Sequence, residues 1–169
     1  MHTVEIVAVS ANPGLAPLVA DWIVDAFFSE PGGYTTDEMT AIILARRPGP
    51  CDTFVLFDGR YPVATAGFSQ SDLDTRPDLS PWLVGVWVNP AYRGRGHAAA
   101  LVRWVEGVAR WHGIETLWLY TTAAEGLYLK LGWTRAGLER EGKRNLEVVL
   151  MRRDLAGRDA SAPLARRQP

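Results

Sequence analysis

Residues 84–107, VGVWVNPAYRGRGHAAALVRWVEG, place an apolar strand-like run, a proline, an Arg/Gly cluster and an Ala-rich helix in one short stretch. Gly94 and Gly96 let the backbone come close to a ligand. A helix starting beside them aims free amide hydrogens and its positive dipole end at the same spot. This arrangement suits a phosphate or pyrophosphate. Arg93 and Arg95 add charges that persist at any physiological pH, although in such loops the amides do the gripping and the arginines are free to face solvent. As a bare pattern, RGRG is equally well a solvated turn. A Walker loop would need Gly-Lys-Ser/Thr, whereas Gly96-His97-Ala98 supplies neither a lysine for a terminal phosphate nor a hydroxyl for magnesium. Gly94-x-Gly96-x-x-Ala99 matches the dinucleotide fingerprint formally. Against it, Pro90 to Arg93 separate the strand from the first glycine, and Glu115 precedes the next strand, TLWLY, instead of following it.

A chain of 169 residues, 47% of them hydrophobic, is sized for one domain with a real core. The formal net charge of −1 gives no whole-chain basic field for nucleic acid or an anionic membrane, so any anion site must be local. The start MHTVEIVAVSANPG lacks a charged segment followed by an apolar run, and nothing approaches the ~18 apolar residues of a membrane span. A cytoplasmic location is expected. Cys51 is the single cysteine, read as a small strand-edge residue, and no cysteine pair with metal-ligand spacing exists. No metal site is expected.

These residues need elements to hold them. TVEIVAV alternates like a strand, and LAPLVADWIVDAFF carries Leu18, Val19, Trp22 and Ala26 at helical spacing. Thr35 and Glu38 stand in capping-box register at the head of a second helix. DTFVLF, the turn pair Asp58-Gly59 and YPVATAGF read as a hairpin. Residues 71–81 read as a loop before a strand over 82–89. The helix after the glycines presents Leu101, Trp104, Val105, Val108 and Trp111 on one face and stops at Gly113. TLWLY is the next strand, and a short helix over 123–131 follows, with Thr122 and Glu125 in capping-box register. A final hairpin turns near Gly142, and residues 156–169 have the composition of a flexible tail. The order β-α-α-β-β-β-α-β-α-β-β predicts an α/β (α+β) fold, a mixed sheet of seven strands with helices on both faces. The strands before and after the third helix should be parallel by a right-handed crossover.

VWVNPAYRGRGHAAALV resembles the acetyl-coenzyme A loop of the GNAT N-acetyltransferase superfamily, whose pattern is Arg/Gln-x-x-Gly-x-Gly/Ala directly after a strand ending in x-Pro. Arg93, Gly96 and Ala98 occupy the three specified positions. AEGLYLKLGW, residues 124–133, resembles the family's second signature, and RPDLSPWLVGVWV and MRRDL are similar to one bacterial branch of it. The similarity spans roughly residues 3–155, and residues 1–155 are expected to form a single acetyl-CoA-dependent N-acetyltransferase domain.

The resemblance implies a mostly antiparallel twisted sheet whose central parallel pair splays apart, with the pantetheine arm of acetyl-CoA entering the gap like an extra strand. It implies that Val86, Trp87 and Val88 offer main-chain groups to that arm, and that Arg93, Gly94, Arg95, Gly96, His97, Ala98 and Ala99 hold the pyrophosphate. The side chain of His97 is expected to point outward. Tyr128 is implied as the general acid for the departing thiolate, since a preorganised phenol of pKa ~10 can donate to a thiol of pKa ~8.5. Without the resemblance, Tyr128 reads as a buried aromatic beside Leu127 and Leu131.

The expected reaction moves an acetyl group from acetyl-CoA to a primary amine of a small molecule or protein, with a homodimer left open. The alternative is a non-catalytic acyl-CoA-binding module for sensing or assembly. Relatives often carry a carboxylate on the strand before the loop, and WLVGVWV has none. Asp72, Asp74, Asp78 and Glu30 sit in loops, where acids are ordinarily solvated, and none is assigned as a base. Relatives also often carry an Asn after the strand corresponding to TLWLY, and TTAAEGLY has none. His112 benefits from a helix C-terminal dipole and reads as structural. Trp22, Trp104 and Trp111 read as core.

Overall fold

The computed structural model describes residues 3–45 and 49–156. The expected tail, 156–169, lies outside the described residues apart from Ala156. Among the described residues the chain forms two compact units, one from 3–68 and 84–102, the other from 69–83 and 103–156.

In the first unit the strands run in the order β1 (Val4–Ala8), β2 (Asp52–Asp58), β3 (Tyr61–Ser69) and β4 (Trp82–Val88), where Ser69 of β3 and Trp82 and Leu83 of β4 belong to the second unit. β1–β2 and β2–β3 are antiparallel. The hairpin forms as expected, with its turn one residue later than read. Asp58 pairs with Tyr61, so Gly59 and Arg60 make the loop, and Gly59 takes the positive φ of 63° that this tight turn requires. α1 (Ala16–Phe27) turns Ala16 and Val19 into a cluster with Val9 and Val55, and Trp22 and Ile23 pack on its margin. α2 (Thr36–Leu44) starts at the expected box: Glu38 N donates to Thr35 Oγ1 at 3.2 Å, and Thr35 N donates to Glu38 Oε2 at 2.8 Å.

The second unit has the order β4, β5 (Thr116–Thr121), β7 (Leu146–Asp154) and β6 (Thr134–Glu141). β5 runs antiparallel to β7, as does β6, whereas β4 and β5 are parallel through the pair Trp82–Trp118, as the crossover argument requires. The seven strands thus make the mixed, mostly antiparallel arrangement expected from the sequence.

α3 (His97–Trp111) departs from its predicted face. The buried residues are His97, Leu101, Val102, Val105, Glu106 and Ala109, while Trp104 and Val108 are half-buried and Trp111 is 74% exposed. Trp111 is therefore not core. The face is rotated because an acid, Glu106, occupies a buried position, and a pattern search assigns acids to solvent. α4 (Glu125–Lys130) also differs. Its N-cap is Ala124 with no side-chain cap, so the Thr122–Glu125 box does not form. Thr121 Oγ1 instead accepts from Ala124 N at 3.0 Å, and Glu125 lies 3.4 Å from Arg135.

A glycine that periodicity passes over shapes β4. Gly85 adopts φ +57° inside the strand, three residues after Trp82. A Cβ there would stand 3.0 Å from Ile23 Cδ1. Gly85→Ala should therefore cost about 1–2 kcal/mol from left-handed strain alone, because the isoleucine tip can yield. Urea titration of the variant checks this, and an unchanged midpoint would show that the kink is not set by glycine.

Candidate active site

β4 ends at Val88, and a 3-10 turn over Pro90–Tyr92 carries the chain into the glycines. Asn89 holds that turn: its Oδ1 accepts from Ala91 N at 3.0 Å and its carbonyl accepts from Tyr92 N at 2.8 Å. Gly94 and Gly96 have φ +74° and +82°, the conformation for which glycine is the low-cost residue. A Cβ built on either meets nothing within 4 Å, so conformation and not crowding selects glycine, and the space above the loop is open. α3 begins at His97. Its first intrahelical bond runs from Ala100 N to Gly96 O at 3.0 Å, so the amides of residues 97–99 have no helical carbonyl behind them.

Neither arginine is idle. Arg93 Nε donates to Val88 O at 3.0 Å, tying the loop to the end of β4. Arg95 lies over the Tyr92 ring at 4.9 Å and sends Nη1 to Asp58 Oδ2 at 3.4 Å. His97 points inward, contrary to expectation. It is 5% exposed, with Nε2 3.5 Å from the same Asp58 oxygen. The difference has a partner behind it: the buried imidazole faces the carboxylate that ends β2. Along β4, Val86 and Trp87 are half-buried and Val88 is buried, and Trp87 stacks on Trp22 at 4.7 Å between centroids. Open space over two positive-φ glycines, unpaired helix-start amides and adjacent guanidinium groups together fit a diphosphate.

Tyr128 belongs to the second unit. It is 7% exposed on α4, in edge contact with Trp133 at 6.0 Å, and burial pushes its phenol up to about 12. Its phenol is thus held neutral. In the same unit burial raises the Asp72 carboxyl to about 7, with Arg144 acting in the opposite sense, although the residue as a whole is solvent-exposed. The loop carrying it is tied down by Asp74 Oδ1, which accepts from Gly142 N at 3.1 Å, and by Thr75 Oγ1, which donates to Arg140 O at 2.9 Å. Among the described residues no cluster of His, Cys, Asp or Glu could hold a metal, and no helix is long and apolar enough to cross a membrane.

Two site-shaping residues escape sequence reasoning. Gly85 left a signal, since a lone glycine within a strand pattern often marks a bulge. Asp58 left none, because its partners lie 37 and more residues away and it reads as an ordinary turn acid.

A strand that ends in a glycine loop running straight into a helix N-terminus, in a seven-stranded mixed sheet, makes an anion-binding α/β fold. The sequence profile of the GNAT acetyltransferase family matches residues 17–133, and the chain belongs to that family; it is an acetyltransferase. Solved structures agree in fold. An aminoglycoside 6'-N-acetyltransferase complexed with coenzyme A aligns at TM-score 0.72 and 15% identity over 92% of this chain and 99% of that one. A Salmonella typhimurium protein described as a candidate acetyltransferase, solved with its cofactor acetyl-CoA, aligns at 0.69 and 17% over 95% and 98%. A spermidine N-acetyltransferase chimera from Vibrio cholerae and hSSAT aligns at 0.69 and 16% over 90% and 95%. No curated protein sequence matches the chain.

Proposed function

We propose that this protein transfers an acetyl group from acetyl-CoA to a primary amine by direct attack, with no acyl-enzyme. The carrying observation is the loop at Gly94 and Gly96, whose positive φ values open it directly beneath the first turn of α3. In this reading the amides of His97, Ala98 and Ala99 hold the diphosphate, Gly94 and Gly96 allow its approach, and Arg93 and Arg95 supply positive charge at the rim. The main chain of Val86, Trp87 and Val88 pairs with the amide groups of the pantetheine arm. A neutral amine attacks the thioester carbonyl, the C–S bond breaks as the tetrahedral adduct collapses, Tyr128 Oη donates a proton to the sulfur, and the proton shed by the attacking nitrogen passes through water to restore the phenol. The acceptor is a small-molecule or protein amine, a class that includes aminoglycosides and polyamines like those named for the structural neighbours. The reading assigns residues 1–155 to one catalytic domain, because the family profile takes in residues of both units. A cytoplasmic setting suits the lone Cys51.

The absence of a carboxylate in β4 keeps a second reading in play, a module that binds acyl-CoA without turnover. Calorimetric titration with acetyl-CoA, followed by thiol release with a broad panel of amines, separates the two. Binding with thiol release for at least one amine supports the enzyme. Tight binding with no release from any amine selects the module, and no heat on titration overturns both.

A further inference from the structure

Asp58 closes β2 and lies under the glycine loop. Its carboxylate is buried, 8% exposed, and a single oxygen, Oδ2, faces Arg95 Nη1 at 3.4 Å and His97 Nε2 at 3.5 Å. Arg95 and His97 are the two neighbours of Gly96, the residue whose φ of +82° turns the chain into α3. Arg95 is anchored a second time, with Nη2 donating to Ala91 O at 3.4 Å and its guanidinium over Tyr92. One carboxylate on a neighbouring strand therefore spans the pivot of the loop from both sides.

The charge is wrong for direct recognition. A carboxylate near a diphosphate repels it, and burying one is costly unless charged or donating groups surround it. What Asp58 supplies there is geometric. A loop with two glycines has wide freedom before ligand arrives, and each conformer with displaced amides subtracts from affinity. Fixing residues 95 and 97 removes those conformers in advance.

We propose that Asp58 is a positioning residue for the diphosphate loop, holding Arg95 and His97 on either side of Gly96 and so setting affinity for the coenzyme without entering acetyl transfer. This inference rests on the acetyl-CoA reading given above.

The test compares the full-length wild type with Asp58→Asn and Asp58→Glu, using acetyl-CoA and S-acetylpantetheine, which carries the thioester and pantetheine but no diphosphate. Calorimetry with CoA should give a dissociation constant about tenfold higher for Asp58→Asn, the worth of one charge-assisted hydrogen bond. The KM for acetyl-CoA should rise with it while kcat at saturation stays the same, Asp58→Glu should recover part of the loss, and kcat/KM for S-acetylpantetheine should not change. A general loosening of the fold would lower turnover on both thioesters alike, and that result overturns the proposal. Unchanged CoA affinity in Asp58→Asn overturns it too. If Asp58→Asn does not fold, Asp58→Glu, which keeps the charge and displaces the oxygen, must still raise the CoA dissociation constant while leaving kcat/KM for S-acetylpantetheine unchanged, and unaltered CoA affinity there overturns the proposal. Should the wild type itself bind no CoA, the acetyl-CoA reading fails first, an outcome distinct from the other two.

Discussion

Tyr128→Phe should lower kcat by about 100-fold to 10,000-fold, the usual range for a lost general acid, and leave the dissociation constant for acetyl-CoA unchanged. The phenol is buried at 7% exposure, and desolvation raises it to about 12. Protonated is the competent form, and it is present at every pH below that value, so Tyr128 contributes no alkaline fall in kcat between roughly pH 8 and 10. Full transfer from a phenol near 12 to a thiolate of pKa ~8.5 runs uphill by about 5 kcal/mol. The step therefore depends on two things. The same dry surroundings raise the thiol, and the hydrogen bond strengthens as charge develops on sulfur. Phenylalanine keeps the ring contact with Trp133 at 6.0 Å and removes only the donor, so stability should move little. Thiol release followed against pH for wild type and variant measures the effect. A loss below threefold, or an equal loss in acetyl-CoA binding, removes Tyr128 from the proton-transfer role.

Local signals in the sequence carried most of the fold. The Thr35–Glu38 box acts over three residues, the hairpin at Gly59 over two, and the glycine loop is contiguous with β4 and α3, so each is readable without knowing what lies across the molecule. Errors arose where a distant partner overrides a local preference. Thr122 and Glu125 have box spacing, yet Arg135 takes Glu125, and the amide of the N-cap residue Ala124 goes to Thr121 Oγ1. His97 sits in a polar loop and still turns inward, because Asp58, on another strand, faces it. The arginines that a loop pattern would leave in solvent are both engaged, by Val88 O and by Asp58. The candidate phosphate grip was thus legible in outline, whereas the brace beneath it was not. Nor is the acceptor written in any contiguous motif, since the acids that lie in loops differ in environment only after folding, as the raised Asp72 shows against the lowered, Arg76-paired Asp78.

Glu106→Ala should cost the fold about 3–5 kcal/mol, as expected when one member of a buried ionic network is deleted. Glu106 is 1% exposed on α3, and its Oε1 accepts from Trp133 Nε1 at 2.9 Å and lies 3.6 Å from Arg153 Nε. Arg110, one turn on, approaches Oε2 at 3.8 Å. Truncation leaves the indole N–H of a tryptophan that is 1% exposed without its acceptor. It also opens a void in a close-packed layer. Arg110 and Arg153 are 30% and 24% exposed, so both can turn toward water, and Arg153 Nη1 keeps Gly132 O at 2.6 Å. The indole and the void therefore dominate the loss. Glu106→Gln retains an acceptor for Trp133 and most of the volume, so it should lose only about 1 kcal/mol, the gap between a charged and a neutral hydrogen bond. Urea unfolding should rank wild type above Gln and Gln well above Ala. Against the 5–15 kcal/mol typical of a folded domain, the alanine loss is large enough to deplete folded protein in cells. Purified Glu106→Ala measured below its unfolding transition should nevertheless retain kcat, because the side chain supports packing in α3 and touches none of the groups assigned to acetyl transfer. Equal stability of the Ala and Gln variants would show that the Trp133 bond carries none of the energy ascribed to it.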